Sequence, residues 1–379
     1  MPKMKTWVEI HENAIKNNIE QLRSLIQPGT RFCAVVKANA YGHGQKEIVN
    51  IAARMDVDAF AVDTLDDALE LRKRLPSAIL LVLGYTLRQR LEEAVESNIH
   101  LTMYDRESIE LFEAAASRRA AVGTLHLKLE TGTNRQGARQ EDLQRILGTI
   151  QDSTHLKLAG ISTHFANIED TSEATYAGVQ FARFRELVAS IQEAGFDPSL
   201  IHCSNSAATI LYPDTHGSMV RIGIALYGLW PSEEVEQVAR RHNVRCDLEP
   251  ALTWKAKIAQ VKSVPAGESI SYGLTERVSR NSRIAVIPVG YWDGYDRQLS
   301  SVGYVLVKGQ RCKVMGRVCM NMFMVDVSGI PNVEPEEEVI LLGKAGRYSI
   351  SAEEMAKWCN TINYEVITRI NPQIPRIVV

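Results

Sequence analysis

The sequence has no long apolar run, no excess of charge of one sign and no C-x-x-C pair of cysteines. Its longest apolar runs, such as Ile79–Leu83, are far shorter than the ~20 residues that span a bilayer, so we expect no membrane segment. The net charge of −2 does not indicate the basic surface that binds nucleic acid. The N-terminal stretch Met1–Glu12 is charged and contains no apolar secretory segment, which predicts a cytoplasmic protein.

The cysteines are scattered, and no histidine cluster lies near them in the sequence. Scattered thiols in a reducing compartment are usually small buried hydrophobes. We therefore expect no zinc site, no other metal site and no disulfide framework. Only Cys319 falls in a candidate site loop. The six are Cys33, Cys203, Cys246, Cys312, Cys319 and Cys359.

Over the first two-thirds of the chain, short apolar runs alternate with amphipathic helical patterns such as Thr64–Leu75, Arg106–Arg118 and Glu173–Ala194. The apolar runs are brief, β-branched and followed by turn residues, which indicates buried strands. Eight strands alternating with helices predict an α/β fold with a TIM-type (β/α)8 barrel, and an open doubly wound sheet is the rival. No G-x-G-x-x-G follows the first strand, so the dinucleotide fingerprint is missing. The predicted strands are Phe32–Val36, Ala59–Val62, Ile79–Leu83, His100–Met103, Leu125–Leu129, Leu158–Ser162, Leu200–His202 and Met219–Ile222.

After about residue 240 the pattern changes, and strand-like runs follow one another with Gly and Pro turns between them. This predicts a mainly-β C-terminal domain, with one helix at Ala352–Ile362. We place the barrel at residues 11–240 and the β domain at residues 241–379. An extra strand, Thr6–Ile10, is not needed by the barrel. The strand-like runs are Thr253–Val264, Arg283–Val289, Tyr304–Val307, Cys312–Met315, Phe323–Val327 and Val339–Leu342.

Polar side chains follow several of the predicted barrel strands, at the end where barrels of this type carry their chemistry. The loops after strands seven and eight frequently bind phosphate, and in this sequence they offer the Ser206 hydroxyl and the Gly223 backbone. A helix that begins near Ser206 would direct free N–H groups at an anion, which predicts a phosphorylated ligand. The polar residues of this rim are Lys37, Asn39, Tyr41, His43, Lys128, Thr131, Arg135, His164, Asn167, Asn205, Ser206 and Arg221.

Lys37 ends the apolar strand Cys33–Val36 and enters the predicted barrel mouth. Partial desolvation there would lower its pKa and make its amine nucleophilic, so that it could form a Schiff base. The alternative is a strand-end lysine that extends to solvent. Position alone favours the second interpretation.

One continuous segment is more specific than any single residue. Ala34–Gly44, with the sequence AVVKANAYGHG, resembles the cofactor-lysine motif of the alanine racemase family. Further matches follow in the family's order and cover essentially the whole chain. They are His164–Ala166, Asn205–Ala208, Val220–Ile224, Ser271–Gly273, Pro288–Tyr291, Gly316–Met320 and Thr361–Glu365.

This resemblance implies pyridoxal 5'-phosphate (PLP) as cofactor, an amino-acid substrate and a homodimer with active sites at its interface. It also implies that residues 1–10 join the β domain. The expected reaction interconverts L-alanine and D-alanine and supplies D-alanine for peptidoglycan. Lys37 would hold PLP and serve one face of the substrate, and the partner subunit's Tyr272 would serve the other. Racemisation needs two such groups because the α-proton leaves one side and returns to the opposite side.

The resemblance also assigns the residues around the cofactor. Arg221 is similar to the arginine that faces the pyridine nitrogen; because arginine stays protonated, that nitrogen would remain an acceptor. His164 would stack on the ring, unless it is an ordinary core histidine. The residues similar to phosphate ligands are Tyr41, Ser206, Gly223, Ile224 and Tyr364, with Asn205 in the same motif as Ser206.

For the substrate, the resemblance implies Arg135, the backbone N–H of Met320, and a narrow gate that includes Tyr291. Lys128 matches a family lysine that is often carbamylated and then orients the arginine; an unmodified lysine is the alternative. Two departures stand near the substrate. Asn321 replaces the usual Asp, and Thr133-Asn134 replaces the usual Met-Gly.

Neither departure touches a proton-transfer residue, so we expect alanine racemase activity to be retained. A racemase of broader specificity, which also accepts serine or other small amino acids, is the alternative. A PLP-dependent decarboxylase on the same scaffold is the second hypothesis, although it has no need of a tyrosine at position 272. A PLP-binding regulatory protein is the third, although such proteins can consist of a lone barrel.

Overall fold

The computed structural model describes residues 3–169 and 175–379. Its chain forms two compact units. The barrel unit consists of Lys16–Ala38 and Ile51–Glu249, and the β unit consists of the chain up to Ile15, Asn39–Asn50 and Pro250–Val379. The predicted division into residues 11–240 and 241–379 assigns Asn39–Asn50 to the barrel, whereas this segment lies in the β unit. The exact domain boundaries stay a prediction.

In chain order, the strands are β1 Thr6–Ile10, β2 Arg31–Val35, β3 Ala59–Val62, β4 Ile79–Val82, β5 His100–Met103, β6 Gly123–Lys128, β7 Leu156–Ser162, β8 Leu200–His202, β9 Met219–Ile222, β10 Leu252–Lys257, β11 Gln260–Val264, β12 Ser269–Ile270, β13 Glu276–Arg277, β14 Ser282–Ile287, β15 Tyr304–Val307, β16 Gln310–Met315, β17 Phe323–Asp326, β18 Glu338–Ala345, β19 Tyr348–Ile350 and β20 Arg376–Val378.

In the same order, the helices are α1 Glu12–Leu25, α2 Lys37–Tyr41, α3 Gln45–Ala53, α4 Leu65–Arg74, α5 Leu91–Glu96, α6 Arg106–Arg118, α7 Gln140–Gln151, α8 Thr175–Glu193, α9 Ser206–Leu211, α10 Glu233–Arg241, α11 Ala352–Cys359 and α12 Asn363–Thr368. The first two residues of the predicted helix Glu173–Ala194 lie outside the described residues. Within the described ranges, no helix is long and apolar enough to cross a membrane.

The barrel unit contains eight parallel strands in the order β8-β7-β6-β5-β4-β3-β2-β9. The two ends of this sheet meet through backbone hydrogen bonds from Ser218 N to Ile201 O and from Arg221 N to Ser204 O, both 3.0 Å. The sheet is therefore a nearly closed barrel. This confirms the predicted TIM-type α/β class over the doubly wound rival.

The helix α4 illustrates how local sequence sets the barrel's outer layer. The Thr64 hydroxyl accepts the Asp67 N–H at 3.2 Å and so caps the first turn. Leu65, Ala68 and Leu71 share the buried face of this helix. Their spacing of three residues is the period that places side chains on one side of a helix.

The β unit is built on a ten-stranded sheet, and β1 pairs with β10 in antiparallel register. Its core stacks aromatic rings: Tyr295 lies parallel to Phe323 at 4.3 Å and edge-on to Trp254 at 6.1 Å. The predicted single strand Thr253–Val264 is wrong, because the chain forms two strands there, β10 and β11, which pair with different neighbours.

The predicted helix Ala352–Ile362 ends earlier than expected, at Cys359. Asn360 adopts a left-handed conformation with φ 52°. Asparagine is one of the few residues that tolerate this conformation, and it commonly ends helices. A second short helix, α12, then begins at Asn363.

Candidate active site

Lys37 lies where the first barrel strand ends. The N–H of Val36 donates to Ala61 O at 2.8 Å, which extends the pairing of β2 one residue beyond the strand. Val36 is fully buried and Lys37 is half-buried. The lysine therefore emerges at the carboxyl-end rim of the barrel, as the sequence predicts.

The chain then forms a left-handed helical turn, which the sequence does not reveal. Ala38, Asn39, Ala40 and Tyr41 all have φ between 51° and 53°. This conformation costs L-residues roughly 1–2 kcal/mol each. Such strain persists only where surrounding contacts enforce it, and it clusters at functional sites.

Hydrogen bonds from the residues that follow hold the turn in place. Gly44 N donates to Asn39 O, and Gln45 N donates to Asn39 Oδ1, both at 2.9 Å. His43 lies fully buried with its Nδ1 3.0 Å from Tyr41 O. At Gly42 a Cβ atom would lie 2.0 Å from Ile367 O, so only glycine fits. Within the β unit, hydrogen bonds and close packing thus fix the backbone conformation of this turn at Asn39, Tyr41 and Gly42.

Three cationic side chains surround Lys128 on the barrel rim. Burial is the largest cause that lowers the pKa of Lys128, to about 8, and the charges of Arg135, Arg221 and Lys37 lower it further. Its Nζ donates to Gln136 Oε1 at 3.3 Å. Arg135 itself is exposed. A rim with this concentration of positive charge suits an anionic ligand.

Arg221 is buried in the barrel mouth and is bonded only to neutral acceptors. Its Nη1 donates to His202 Nδ1 at 2.6 Å and to His202 O at 2.9 Å. Its Nη2 donates to Thr163 O at 2.9 Å and lies 3.4 Å from His164 Nδ1. The Nε–H has no partner among residues 3–169 and 175–379. The Arg221 Nε–H is therefore a hydrogen-bond donor that is available to a ligand.

His164 stands beside this arginine and is half-buried. Burial lowers the pKa of His164 well below its usual range, and the charges of Arg221 and Arg135 act in the same direction. The ring is therefore neutral at physiological pH. A neutral, apolar-faced ring is suited to stacking on an aromatic ligand.

The predicted phosphate-binding loops also come together. The buried Ser206 hydroxyl accepts the N–H of Gly223 at 3.1 Å and that of Ala225 at 3.4 Å. Asn205 caps α9 through its Oδ1, which accepts the Ala208 N–H at 3.0 Å. Its Nδ2 donates to Glu169 Oε1 at 3.2 Å. Asn205 thus shapes the loop that carries Ser206.

The two tyrosines predicted as phosphate ligands lie in the β unit. The rings of Tyr41 and Tyr364 are 6.1 Å apart and tilted by 50°. Tyr41 belongs to the left-handed turn, and Tyr364 belongs to α12. The structure therefore brings these two residues together, and their role as ligands stays a prediction.

A separate cavity of about 780 Å³ opens in the β unit. Tyr272 at its edge is 73% exposed. Tyr291 and Met320 are also exposed. The polar part of the lining further includes Ser271, Arg297, Arg317, Cys319 and Asn321. One cavity thus brings together Tyr272, Tyr291 and Met320, which were predicted from three motifs that lie far apart in the sequence.

The Tyr272 turn is rigidly connected to the loop that precedes Met320. Ser271 has φ 68°, and its hydroxyl donates to Arg317 O at 2.6 Å. Gly273 has φ 76°, where a Cβ would lie 3.0 Å from the Arg317 guanidinium carbon. Tyr272 is therefore displayed on a constrained turn.

Tyr291 and Met320 are held against each other by their backbones. Tyr291 N donates to Cys319 O at 3.1 Å, and Trp292 N donates to Met320 O at 3.0 Å. At Gly290 a Cβ atom would lie 2.2 Å from Cys319 O. The Met320 N–H itself has no partner in the described part of the chain, which leaves it available to a ligand.

One group that sequence reasoning missed supports the Arg135 loop. The fully buried Gln180 of α8 accepts the Ala166 N–H at 2.8 Å and donates to Thr133 Oγ1 at 3.3 Å. The Thr133 hydroxyl donates to His164 O at 2.6 Å. The only sequence signal was a glutamine on the apolar face of a predicted helix.

Comparison with known proteins agrees with this arrangement of an eight-stranded α/β barrel and a mainly-β unit. Family models described as alanine racemase, N-terminal domain, and alanine racemase, C-terminal domain, match residues 10–231 and 251–378. The chain therefore belongs to the alanine racemase family.

Individual relatives match over almost their whole length. The alanine racemase of Desulfosudis oleivorans is 39% identical, with 100% of this chain and 97% of that protein covered. That of Desulforamulus reducens is 41% identical, with 98% of each covered. The structure of alanine racemase from Bacillus anthracis with bound L-Ala-P has a TM-score of 0.93 at 36% identity, covering 100% of this chain and 96% of that one.

Proposed function

We propose that this protein is a PLP-dependent isomerase that interconverts L-alanine and D-alanine and so supplies D-alanine for peptidoglycan. The observation that carries the proposal is the setting of Lys37. It leaves the first barrel strand into a rim where Lys128, His164 and the buried Arg221 converge. Family membership supplies the reaction class.

The donors of the barrel rim fit PLP. The Ser206 hydroxyl accepts the Gly223 N–H at 3.1 Å, which holds the two groups together beside Ile224. The Ser206 O–H and the Ile224 N–H could donate to a phosphate, which would also compete for the Gly223 N–H. The remaining Nε–H of Arg221 suits a pyridine nitrogen that accepts a hydrogen bond. When bound, PLP supplies the electron sink that makes the α-proton of an amino acid removable.

Two side chains then move the proton. Lys37 Nζ removes the α-proton as a neutral amine, or returns it as an ammonium group, on one face; the partner subunit's Tyr272 removes it as a phenolate, or returns it as a phenol, on the other. Arg221 stays protonated and leaves no proton on the ring nitrogen, which moderates electron withdrawal and limits competing reactions. Arg135 and the Met320 N–H orient the substrate carboxylate.

The exposed side chains of the β unit support a homodimer. Tyr272, Leu274, Trp292, Met320 and Ile362 are between 55% and 73% exposed. Contiguous exposed apolar groups are typical of protein interaction sites, and of these residues Tyr272 and Met320 line one cavity. A second copy of the chain would cover them and would receive Tyr272 at its own Lys37.

A second candidate is a racemase of broader specificity that also accepts serine. Asn321 lines the Tyr272 cavity and is exposed there. An amide in place of the family's usual carboxylate removes a negative charge and adds a hydrogen-bond donor. Serine would present a hydroxyl group to such a side chain.

A panel of L-amino acids tests both candidates. With PLP bound, the purified protein should be yellow and should convert L-alanine to D-alanine; conversion of L-serine at a comparable rate would favour the broader enzyme. Lys37→Ala should abolish both the visible absorption and turnover. Release of CO2 without racemisation would identify a decarboxylase, and a protein with no absorption band and no turnover in the presence of PLP would refute the proposal.

The second proton-transfer group is tested by isotope exchange. Tyr272→Phe should impair exchange of the α-proton of one alanine enantiomer with solvent far more than that of the other. Tyr85→Phe, at a tyrosine that is 56% exposed in the barrel unit, is the matched control and should behave as the wild type. Equal loss for both enantiomers would contradict the two-base assignment.

A further inference from the structure

A row of three histidines leads from Arg221 into the barrel core. His202 Nε2 lies 2.8 Å from His126 Nδ1, and His126 Nε2 lies 3.0 Å from His100 Nδ1. His202 and His126 are fully buried, and His100 is half-buried at the start of β5. The row of imidazoles thus runs from the end of β8, at the mouth of the barrel, through β6 to the start of β5.

The chemistry of arginine fixes the direction of every bond in this row. A guanidinium group only donates hydrogen bonds, so His202 Nδ1, 2.6 Å from Arg221 Nη1, must accept. A neutral imidazole has one donor and one acceptor nitrogen, so His202 then carries its proton on Nε2 and donates to His126. The same reasoning puts the protons of His126 and His100 on Nε2.

We propose that His126 and His100 are positioning residues that act through His202 on Arg221. Arg221 sets the direction of this hydrogen-bond chain, and the chain in turn gives the His202 Nε2–H a fixed acceptor. This holds the His202 ring where its Nδ1 receives the guanidinium and so fixes the orientation of the guanidinium. Its connection to catalysis rests on the proposed function, in which Arg221 faces the cofactor ring. The tautomers themselves do not depend on it.

The backbone around His126 leaves room for this row of histidines. The pairing of β6 with β7 shifts register between Leu125 and His126. Opposite the imidazole stands Gly160, where a Cβ atom would lie 2.4 Å from His126 Nδ1. Any other residue at this position would push the imidazole away from His202.

Burial keeps the row neutral, and charges at both ends act in the same direction. Burial lowers the pKa of His202 and of His126 well below the usual range, and Arg221 acts in the same direction. At the outer end, burial lowers the pKa of His100 to about 4, with help from Lys157 and Arg72. A protonated imidazole would present two donors and break the sequence of bonds.

The direct test is nitrogen NMR of protein labelled with 15N in histidine, with and without PLP. The nine histidines can be assigned by single substitutions. His100, His126 and His202 should each show a protonated Nε2 and an unprotonated Nδ1 throughout pH 6–8. A proton on Nδ1 of His126 or His202, or a charged form of either in this range, would overturn the proposal.

Two substitutions at His126 distinguish the effect of its hydrogen bonds from the effect of its side-chain volume. His126→Gln retains an acceptor and a donor on one side chain, so it should keep His202 in its single tautomer and keep kcat/KM within about threefold of the wild type. His126→Leu fills the space without either group. Arg221 should still hold His202 in its Nε2–H tautomer, but this Nε2–H should lose the downfield 1H shift of a hydrogen-bonded group, and kcat should fall about tenfold with KM unchanged, the equivalent of one hydrogen bond.

The half-buried His100 gives a variant with less risk to folding. His100→Leu should leave the His126 Nε2–H without its acceptor and move the 1H shift of this group upfield, while the barrel remains folded. If both leucine variants left the 1H and 15N shifts of the remaining Nε2–H groups unchanged, or if His126→Leu kept the wild-type kcat, His126 and His100 would not position Arg221 and the proposal would fall. If the tautomers behaved as expected but the wild type failed to racemise alanine, the proposed function would fall and the inference would stand.

Discussion

Replacing Ala38 with glycine should leave the protein as stable as the wild type or make it more stable. Ala38 is exposed and has φ 52° in the left-handed turn. Removing its Cβ relieves roughly 1–2 kcal/mol of steric cost. Glycine loses about 0.5–1 kcal/mol more conformational freedom on folding than alanine does. The difference between these two terms raises the free energy of unfolding by about 0–1.5 kcal/mol.

The same change in an ordinary helix provides the control. Ala182 is exposed in the right-handed helix α8, where glycine should destabilise by about 1 kcal/mol. Urea unfolding of both variants as PLP-loaded proteins measures the difference, expected to be about 1–2 kcal/mol in favour of Ala38→Gly. If Ala38→Gly lowers the stability as much as Ala182→Gly does, the turn is not strained and the reasoning fails.

Two further predictions concern the rim and the cavity. Because burial and neighbouring cations lower the pKa of Lys128 to about 8, much of its amine is uncharged near pH 8 and available to CO2. Protein in 13C-bicarbonate should give a carbamate NMR signal that fades as the pH falls below 8 and the amine is protonated; a signal that survives in Lys128→Arg would contradict this. Gly290→Ala should lower kcat/KM at least tenfold because its Cβ would lie 2.2 Å from Cys319 O, whereas Gly329→Ala, with nothing within 4 Å, should not.

The sequence predicted the barrel well because its strands are continuous buried runs. Ala59–Val62, His100–Met103, Leu200–His202 and Met219–Ile222 agree with the structure at both ends. Parallel strands covered on both faces have this unbroken apolar pattern, which is easy to recognise. Motif resemblance then pointed to Lys37 and its neighbours on the rim.

The features that remained hidden depend on tertiary contacts. No propensity predicts four left-handed residues in Ala38–Tyr41, because their conformation is enforced by bonds to later residues such as Gly44. His126 and His202 are 76 positions apart in the chain. Their contact exists only because β6, β7 and β8 are adjacent in the barrel.

The central claim is that Lys37 of one subunit works with the partner subunit's Tyr272. Mixing two inactive variants, Lys37→Ala and Tyr272→Phe, tests it most directly. If each site combines residues of two chains, half the dimers formed by random exchange contain one intact site, and activity should return to about one quarter of the wild type. If the two residues act within one chain, every site in the mixture lacks one of them, and no recovery of alanine racemisation would contradict the account.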